Sequence, residues 1–177
     1  MSKVLVVVDM QNDFVTDALR NEEGIKIVPN VVKKVESAAN AGDTIIFTRD
    51  THEEDYLSTE EGKNLPVVHC IKGTKGWEII DALTPYVSKA AAVIDKPAFG
   101  SVELAEKIRD LAQNDEKLEV ELIGLCTDIC VVSNALVIKA FNPNIHISVD
   151  SGCCAGVTPE THSAALETMK TCHVEVK

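Results

Sequence analysis

The sequence predicts a doubly wound α/β domain in three layers, α/β/α, built on a mainly parallel sheet and spanning residues 1–177 as a single domain. Three observations lead there. Apolar, β-branched runs of strand length recur along the chain; helical patterns with i, i+3 and i+4 spacing separate them; and the runs are continuously hydrophobic rather than alternating, as strands covered on both faces must be.

In chain order, Val4 to Val8 is the first strand pattern. Pro29 is read as opening a helix at its first turn, with Val31, Val32, Val35 and Ala38 as its apolar stripe and Gly42 as its stop. Thr44 to Thr48 is the second strand. From Thr51 to Gly76 periodicity is lost, and a stretch that long in a compact domain is more often functional than idle. Ala91 to Ile94 is the third strand. Ser101 then caps a helix whose stripe is Leu104, Ala105, Ile108 and Leu111. Val120 to Leu125 is the fourth strand, followed by a helix from near Asp128 to Asn142-Pro143. Ile145 to Val149 is the fifth strand, Thr158-Pro159-Glu160 starts the last helix, and Val174 to Val176 is read as a sixth strand.

Composition narrows the function. The net charge is −11 and no basic run exceeds two residues, so neither nucleic acid nor an anionic membrane is an expected partner. The run Val4 to Val8 is too short for a signal-peptide core or a membrane span, so the expected location is cytoplasmic and the six cysteines are expected as free thiols. The expected partner is a small molecule that is not strongly anionic.

In open α/β sheets, ligands bind at the carboxyl ends of the strands, where strand order reverses. Asp9, Asp50, Lys96, the turn from Cys126 to Cys130, and Asp150 each follow an apolar run and should gather there. A thiol flanked by a carboxylate and an ammonium is a complete nucleophilic device, which makes Asp9, Lys96 and Cys130 the candidate catalytic group. Each has a plainer reading: Asp commonly leaves a strand and caps a helix, and a buried cysteine is usually a small apolar residue. Cys70, Cys153, Cys154 and Cys172 are read as cysteines of that plain kind. Cys130 has the best individual case. Thr127 and Asp128 are N-cap residue types, so the thiol falls in a first helical turn, where the dipole favours thiolate and free N–H groups can hold an oxyanion.

Asp50, His52 and His69 form a second group, an Asp-x-His at a strand end plus a further histidine, suited to one divalent ion with open positions. The remaining histidines, His146, His162 and His173, are read as solvated. Gly73-Thr74-Lys75-Gly76 lacks the order and the preceding strand of a phosphate loop, so nucleotide binding is discounted.

Four segments together resemble the cysteine-hydrolase superfamily of isochorismatases, N-carbamoylsarcosine amidases and nicotinamidases, most nearly its nicotinamidase branch. They are Asp9-Met10-Gln11-Asn12-Asp13-Phe14, Asp50-Thr51-His52 with His69-Cys70-Ile71-Lys72-Gly73-Thr74, Lys96-Pro97-Ala98-Phe99-Gly100-Ser101, and Gly124-Leu125-Cys126-Thr127-Asp128-Ile129-Cys130-Val131, in the family's order. The resemblance implies a six-stranded parallel sheet and a catalytic triad of Asp9, Lys96 and Cys130. It also implies a cis peptide joining Leu125 to Cys126, with the amides of Cys126 and Cys130 as the oxyanion hole. A divalent metal on Asp50, His52 and His69 follows as well, zinc first with iron or manganese as alternatives, and Glu61 or Ser58 as a further ligand. Phe14 matches a pocket aromatic by motif and Trp77 is a candidate by position; relatives are often homo-oligomers.

The implied reaction converts nicotinamide to nicotinate and ammonia through a thioester, in pyridine nucleotide salvage. Isochorismatases lack the nucleophilic cysteine, so Cys130 argues against their reaction. The residues leave two rivals open: a related cysteine hydrolase acting on another small amide or a ureido compound, and a non-enzymatic redox or metal-sensing module using Cys126, Cys130, Cys153 and Cys154. The Cys-x-x-x-Cys spacing does not match the usual redox motif.

Overall fold

A computed structural model describes residues 2–115 and 117–177. Six strands, β1 (Lys3–Val8), β2 (Thr44–Asp50), β3 (Ala92–Lys96), β4 (Glu119–Leu125), β5 (His146–Ala155) and β6 (Glu175–Val176), form one all-parallel sheet in the order β3-β2-β1-β4-β5-β6. The order reverses between β1 and β4. The crevice predicted by topology therefore opens above Asp9 and the end of β4.

Alternation within β1 divides the core into two halves. Val4, Val6 and Val8 face α5 (Val102–Ala112), α6 (Val132–Phe141) and α7 (Pro159–Thr171), meeting Leu104, Ile108, Ala135, Ile138 and Met169. Leu5 and Val7 face the opposite way, onto Ile27, Val31, Val35 and Ala38 of α2 (Glu22–Ala41). Short helices α1 (Asn12–Val15), α3 (Glu60–Asn64) and α4 (Thr84–Val87) fill connections. With both faces covered, the strands have no polar side to show.

Several element boundaries depart from the sequence reading. Pro29 does not open its helix but lies inside α2, which Asn21 starts by accepting hydrogen bonds from the amides of Glu23 and Gly24. A strong cap upstream and a buried apolar face outweigh the loss of one N–H donor. The predicted stop at Gly42 holds, in the left-handed conformation at φ 76°. Asp150 does not end a strand, because β5 continues to Ala155 with a register shift opposite Leu122 and Gly124. The stretch from Thr51 to Gly76 carries a 3-10 turn at Tyr56–Ser58 and helix α3.

The fourth strand ends in an unusual way. Gly124 has φ 116°, and a Cβ there would run into the Val8 carbonyl, so only glycine lets β4 lie this close to β1 at the crevice. Leu125-Cys126 is a cis peptide, as the resemblance implied. The chain then enters a π turn, Thr127–Val131, before α6. Thr127 and Asp128 are not its caps: Cys126 precedes the turn with no side-chain cap bond.

Candidate active site

Asp9, Lys96 and Cys130 meet at the carboxyl edge of β1, β3 and β4, all buried. Lys96 Nζ lies 2.7 Å from Asp9 Oδ2, 3.3 Å from Cys130 Sγ and 3.4 Å from Asp50 Oδ1, and donates to the Ala98 carbonyl at 3.2 Å. Asp9 sits at φ 48°, a left-handed backbone uncommon for a non-glycine residue. Thr48 donates to Asp9 Oδ1 at 2.7 Å. Oδ2 faces the ammonium without a well-aligned hydrogen-bond donor.

The electrostatics follow from three acidic groups around one cation. Burial opposes the charged form of Lys96, but the charges of Asp9, Cys130 and Asp50 outweigh it and hold its pKa above the ordinary lysine value. Burial, against the pull of Lys96, raises the Asp9 carboxyl above the ordinary aspartate value, making it a stronger base. Burial and the neighbouring Asp9 push the Cys130 thiol well up. The expectation of a thiolate favoured by a helix terminus is thus corrected. The resting group is a thiol, and a base must take its proton.

Asp50 joins this cluster to a second one. Its Oδ1 faces Lys96, and its Oδ2 lies 2.9 Å from His52 Nε2 and 3.5 Å from His69 Nε2. Glu61 Oε1 lies 3.6 Å from the first imidazole and 3.7 Å from the second. One ligand atom from each of Asp50, His52, Glu61 and His69 fits within 4.8 Å of the others, a spacing that can close around a single ion. Two carboxylate oxygens and two imidazole nitrogens suit a borderline divalent cation such as zinc. His69 strengthens the fit: its Nδ1 donates to the Val67 carbonyl at 2.8 Å, which leaves the Nε2 lone pair free for a metal. Between the two expected further ligands, geometry selects Glu61, on α3; Ser58 is exposed on the preceding turn.

Cys130, Cys126, Asp50 and His69 open on a cleft of about 1200 Å³, whose apolar walls include Phe14, Ile129 and Phe99. Phe14 is where the motif placed it, its ring centroid 5.6 Å from that of His69. Trp77 is not. Its indole Nε1 donates to Thr51 Oγ1 at 2.8 Å and its ring stacks under the Arg49 guanidinium, 3.6 Å from the centroid, away from the residues that line the cleft. Phe99, from the lysine segment, takes the second aromatic position at the wall.

Supporting residues escaped the sequence reading. Gln11 is fully buried and clamps β2, donating to the carbonyls of Asp50 and Trp77 and accepting from the Asp50 amide at 2.7 Å. Asp13 accepts from the Cys70 amide at 2.7 Å and so fixes the residue after His69. Asn134 accepts from Ser101 N and donates to the Phe99 and Cys130 carbonyls, tying the lysine segment to the nucleophile turn. Their shared signal was present as polar residues at positions of an otherwise apolar pattern, which become buried only when hydrogen-bonded. His162, read as solvated, is half-buried with Nδ1 2.8 Å from Thr127 Oγ1.

A family model described as the isochorismatase domain matches residues 3–176. The chain belongs to the isochorismatase domain family. Within that family it is similar to an uncharacterized isochorismatase family protein PncA of Bacillus subtilis, 30% identical over 94% of this chain and 93% of the relative. Among solved structures, nicotinamidase/pyrazinamidase PncA from Bacillus subtilis superposes with a TM-score of 0.85 at 29% identity, covering 99% of each chain. The pyrazinamidase of Pyrococcus horikoshii in complex with zinc superposes with a TM-score of 0.81 at 30% identity, covering 100% of this chain and 99% of the other. The isochorismatase fold accounts for the strand order and for the gathering of its four motif segments at one edge.

Proposed function

We propose that this chain is a nicotinamidase: a metal-assisted cysteine amidohydrolase that converts nicotinamide to nicotinate and ammonia. One observation carries the reading. A single buried ammonium, Lys96, sits within 3.4 Å of Asp9, Cys130 and Asp50, and Asp50 also belongs to a ready-made divalent ligand set opening on the same cleft.

The reaction runs from the chain's own groups. Asp9 takes the proton from the Cys130 thiol, while Lys96 stays charged and stabilises the thiolate that forms. The thiolate attacks the carboxamide carbon, and the backbone N–H groups of Cys126 and Cys130 receive the developing oxyanion. Asp9 returns its proton to the departing nitrogen as ammonia leaves. Water, deprotonated by Asp9, then cleaves the thioester, releases the carboxylic acid and restores the thiol. Asp50, His52, Glu61 and His69 would hold a divalent cation, which would supply Lewis-acid character beside the substrate ring. Phe14 and Phe99 offer apolar walls for the ring.

A second reading keeps the same chemistry on another small amide or a ureido compound. The cleft favours it in one respect, being larger than a one-ring amide needs. An ammonia-release assay over nicotinamide, pyrazinamide and ureido compounds, with and without a chelator, separates the two. Turnover of nicotinamide whose KM rises on chelation is the expected result; silence on nicotinamide with turnover of a ureido compound hands the site to the second reading.

A further inference from the structure

The nucleophile turn is held by a segment that adds no side chain to the cluster of Asp9, Lys96 and Cys130, although Val157, Thr158 and Pro159 line the same cleft. Thr127, fully buried, has its hydroxyl 2.8 Å from His162 Nδ1 on α7. Asp128 accepts from the Val157 amide with both oxygens, at 3.1 and 3.2 Å. Asn21 donates to the Gly156 carbonyl at 2.9 Å, and its side chain lies against the Cys126 sulfur. Residues 156–162 therefore form a bracket on the turn that runs from Cys126 to Cys130.

The bracket is rigid. Thr158 caps α7 in a reciprocal capping box with Thr161, Pro159 occupies the first turn, and the His162 amide donates to the Thr158 carbonyl at 3.0 Å. At Gly156 a Cβ would crowd the backbone of His162, so the chain is packed hard against this turn of helix. The direction of the bond between Thr127 and His162 follows from the tautomer of the ring. A buried hydroxyl needs an acceptor for its hydrogen, and Nδ1 of the neutral ring with its proton on Nε2 provides one. Burial, only partly opposed by Asp128, lowers the His162 pKa and keeps the ring neutral.

We propose that His162 is a positioning residue for the nucleophile turn: by accepting a hydrogen bond from Thr127 it fixes the backbone on which the Cys126 and Cys130 amides and the Cys130 thiol are presented. The proposal rests on the reading of Cys130 as the nucleophile. Thr127 lies directly between the two amides in sequence, and the π turn is wider than an α-helical turn, with the Cys126 carbonyl accepting from both Ile129 and Val131. A turn wound this loosely has few internal constraints on how its peptides face. The fixed imidazole supplies one from outside. Displacement of a reacting group by about 1 Å costs on the order of 100-fold in rate, which sets the scale of what this contact protects.

The experiment compares four variants with the wild type, His162→Ala, His162→Asn, Thr127→Val and the double variant of His162→Ala with Thr127→Val. Two readouts are taken on each: kcat and KM for nicotinamide, and the rate at which iodoacetamide alkylates Cys130 in the native protein, resolved from the other five cysteines by peptide mass spectrometry. Melting temperature and zinc content are measured alongside. In His162→Ala we expect kcat and the Cys130 alkylation rate to fall together by about 10- to 100-fold, with KM within about twofold and metal content unchanged. His162→Asn, whose amide oxygen can accept near the Nδ1 position, should recover most of both. Thr127→Val should match His162→Ala, and the double variant should be no worse than either single change, because both break one bond.

A folded His162→Ala protein whose kcat and alkylation rate stay within about twofold of wild type overturns the proposal. So does a loss that His162→Asn fails to recover, or losses that multiply in the double variant. Should the wild type release no ammonia from nicotinamide, the proposed substrate falls; the alkylation rates still decide the role of His162, a shared fall supporting it and an unchanged rate rejecting it.

Discussion

Two lysines in this molecule stand between two carboxylates with a cysteine nearby, and they differ chiefly in their access to water. Lys96 bridges Asp9 and Asp50 beside Cys130, with its side chain fully out of solvent. Lys34, on α2 across the sheet, bridges Asp150 at 2.7 Å and Glu121 at 3.1 Å, with Cys153 next to Asp150, but its side chain keeps 28% of its exposure. Water screens the second set. An opposite-charge pair 4 Å apart is worth about 1 kcal/mol in bulk water and about 4 kcal/mol at a dielectric near 20, so equal geometry gives unequal force. Lys34 and Glu121 line a smaller pocket of about 270 Å³ that Cys153 does not join, and Cys153, pushed up to about 12 mainly by burial, stands beside an Asp150 whose pKa is lowered rather than raised. Residue types alone do not make the site; dryness, a base of raised pKa and an opening to substrate do.

The largest expected effect tests that contrast on the two thiols. Cys130→Ala and Asp9→Asn should each lower ammonia release by about 10⁴-fold or more, the scale seen when a nucleophile or its base is removed, while Cys153→Ala leaves it within about twofold. Rates per folded protein, with circular dichroism as the check on folding, measure this. Equal losses at Cys130 and Cys153 would put the two regions on the same footing and revive the redox-module reading.

Next in size are the lysines themselves. Lys96→Met leaves Asp9 and Asp50 buried without a cation and should cost about 3–5 kcal/mol in urea unfolding. Lys34→Met should cost about 1 kcal/mol or less, because its partners are part-exposed and solvent replaces the lost ammonium. The sign of the Lys96 contribution is clear from its raised pKa: it is fully present below the ordinary lysine value of 10.5 and is lost only as pH climbs through the higher folded value. A Lys96→Met protein as stable as Lys34→Met would falsify the assignment of burial as the deciding difference.

Chelation comes third. Stripping the ion should raise the KM for nicotinamide by about 10- to 100-fold, lower the melting temperature and change Cys130 alkylation much less, since Asp50 is the one group shared by the ligand set and the contacts of Lys96. Glu61→Gln should give a milder version of the same pattern and a weaker affinity for zinc by calorimetry. No response of KM to either change would detach the Asp50 cluster from substrate binding.

The contrast also explains what could be read from the sequence. Asp9, Lys96 and Cys130 were legible because each follows a run of β-branched residues, and a parallel sheet sends all such ends to one edge. Asp50 and His52 were legible as an Asp-x-His at a strand end, and His69 as a further histidine of the stretch that follows. Asp150 looked equivalent to Asp9 by that rule, yet β5 continues past it through a register shift, and an irregularity in pairing cannot be seen in an apolar pattern. Glu61 and Ser58 could be separated only by the short helix α3, held by the Thr59 cap and by Gly62 packed under Tyr56. Trp77 was misplaced because its partners are Arg49 and Thr51, which flank Asp50 in the chain and, unlike it, do not line the cleft. His162 is a tertiary fact: nothing near it in sequence announces Thr127.

The smallest effect sharpens the comparison at low pH. Burial would raise the Asp150 carboxyl, but the hydrogen bond and charge of Lys34 outweigh it and lower the pKa below the ordinary 3.8. A carboxyl lowered on folding adds stability above its unfolded value, and that stability is lost as pH falls from 3.8 through the lower folded value. Lys34→Met should therefore flatten the stability curve across that acid window, losing less than about 1 kcal/mol on its neutral side and nothing below it, since the group is screened. Salt gives the matching control: at about 1 M sodium chloride, where the Debye length is about 3 Å, most of the Lys34 difference should be erased and little of the Lys96 one. If salt weakened both equally, the two lysines would share one environment, and the dryness argued for the Lys96 cluster would have to be abandoned.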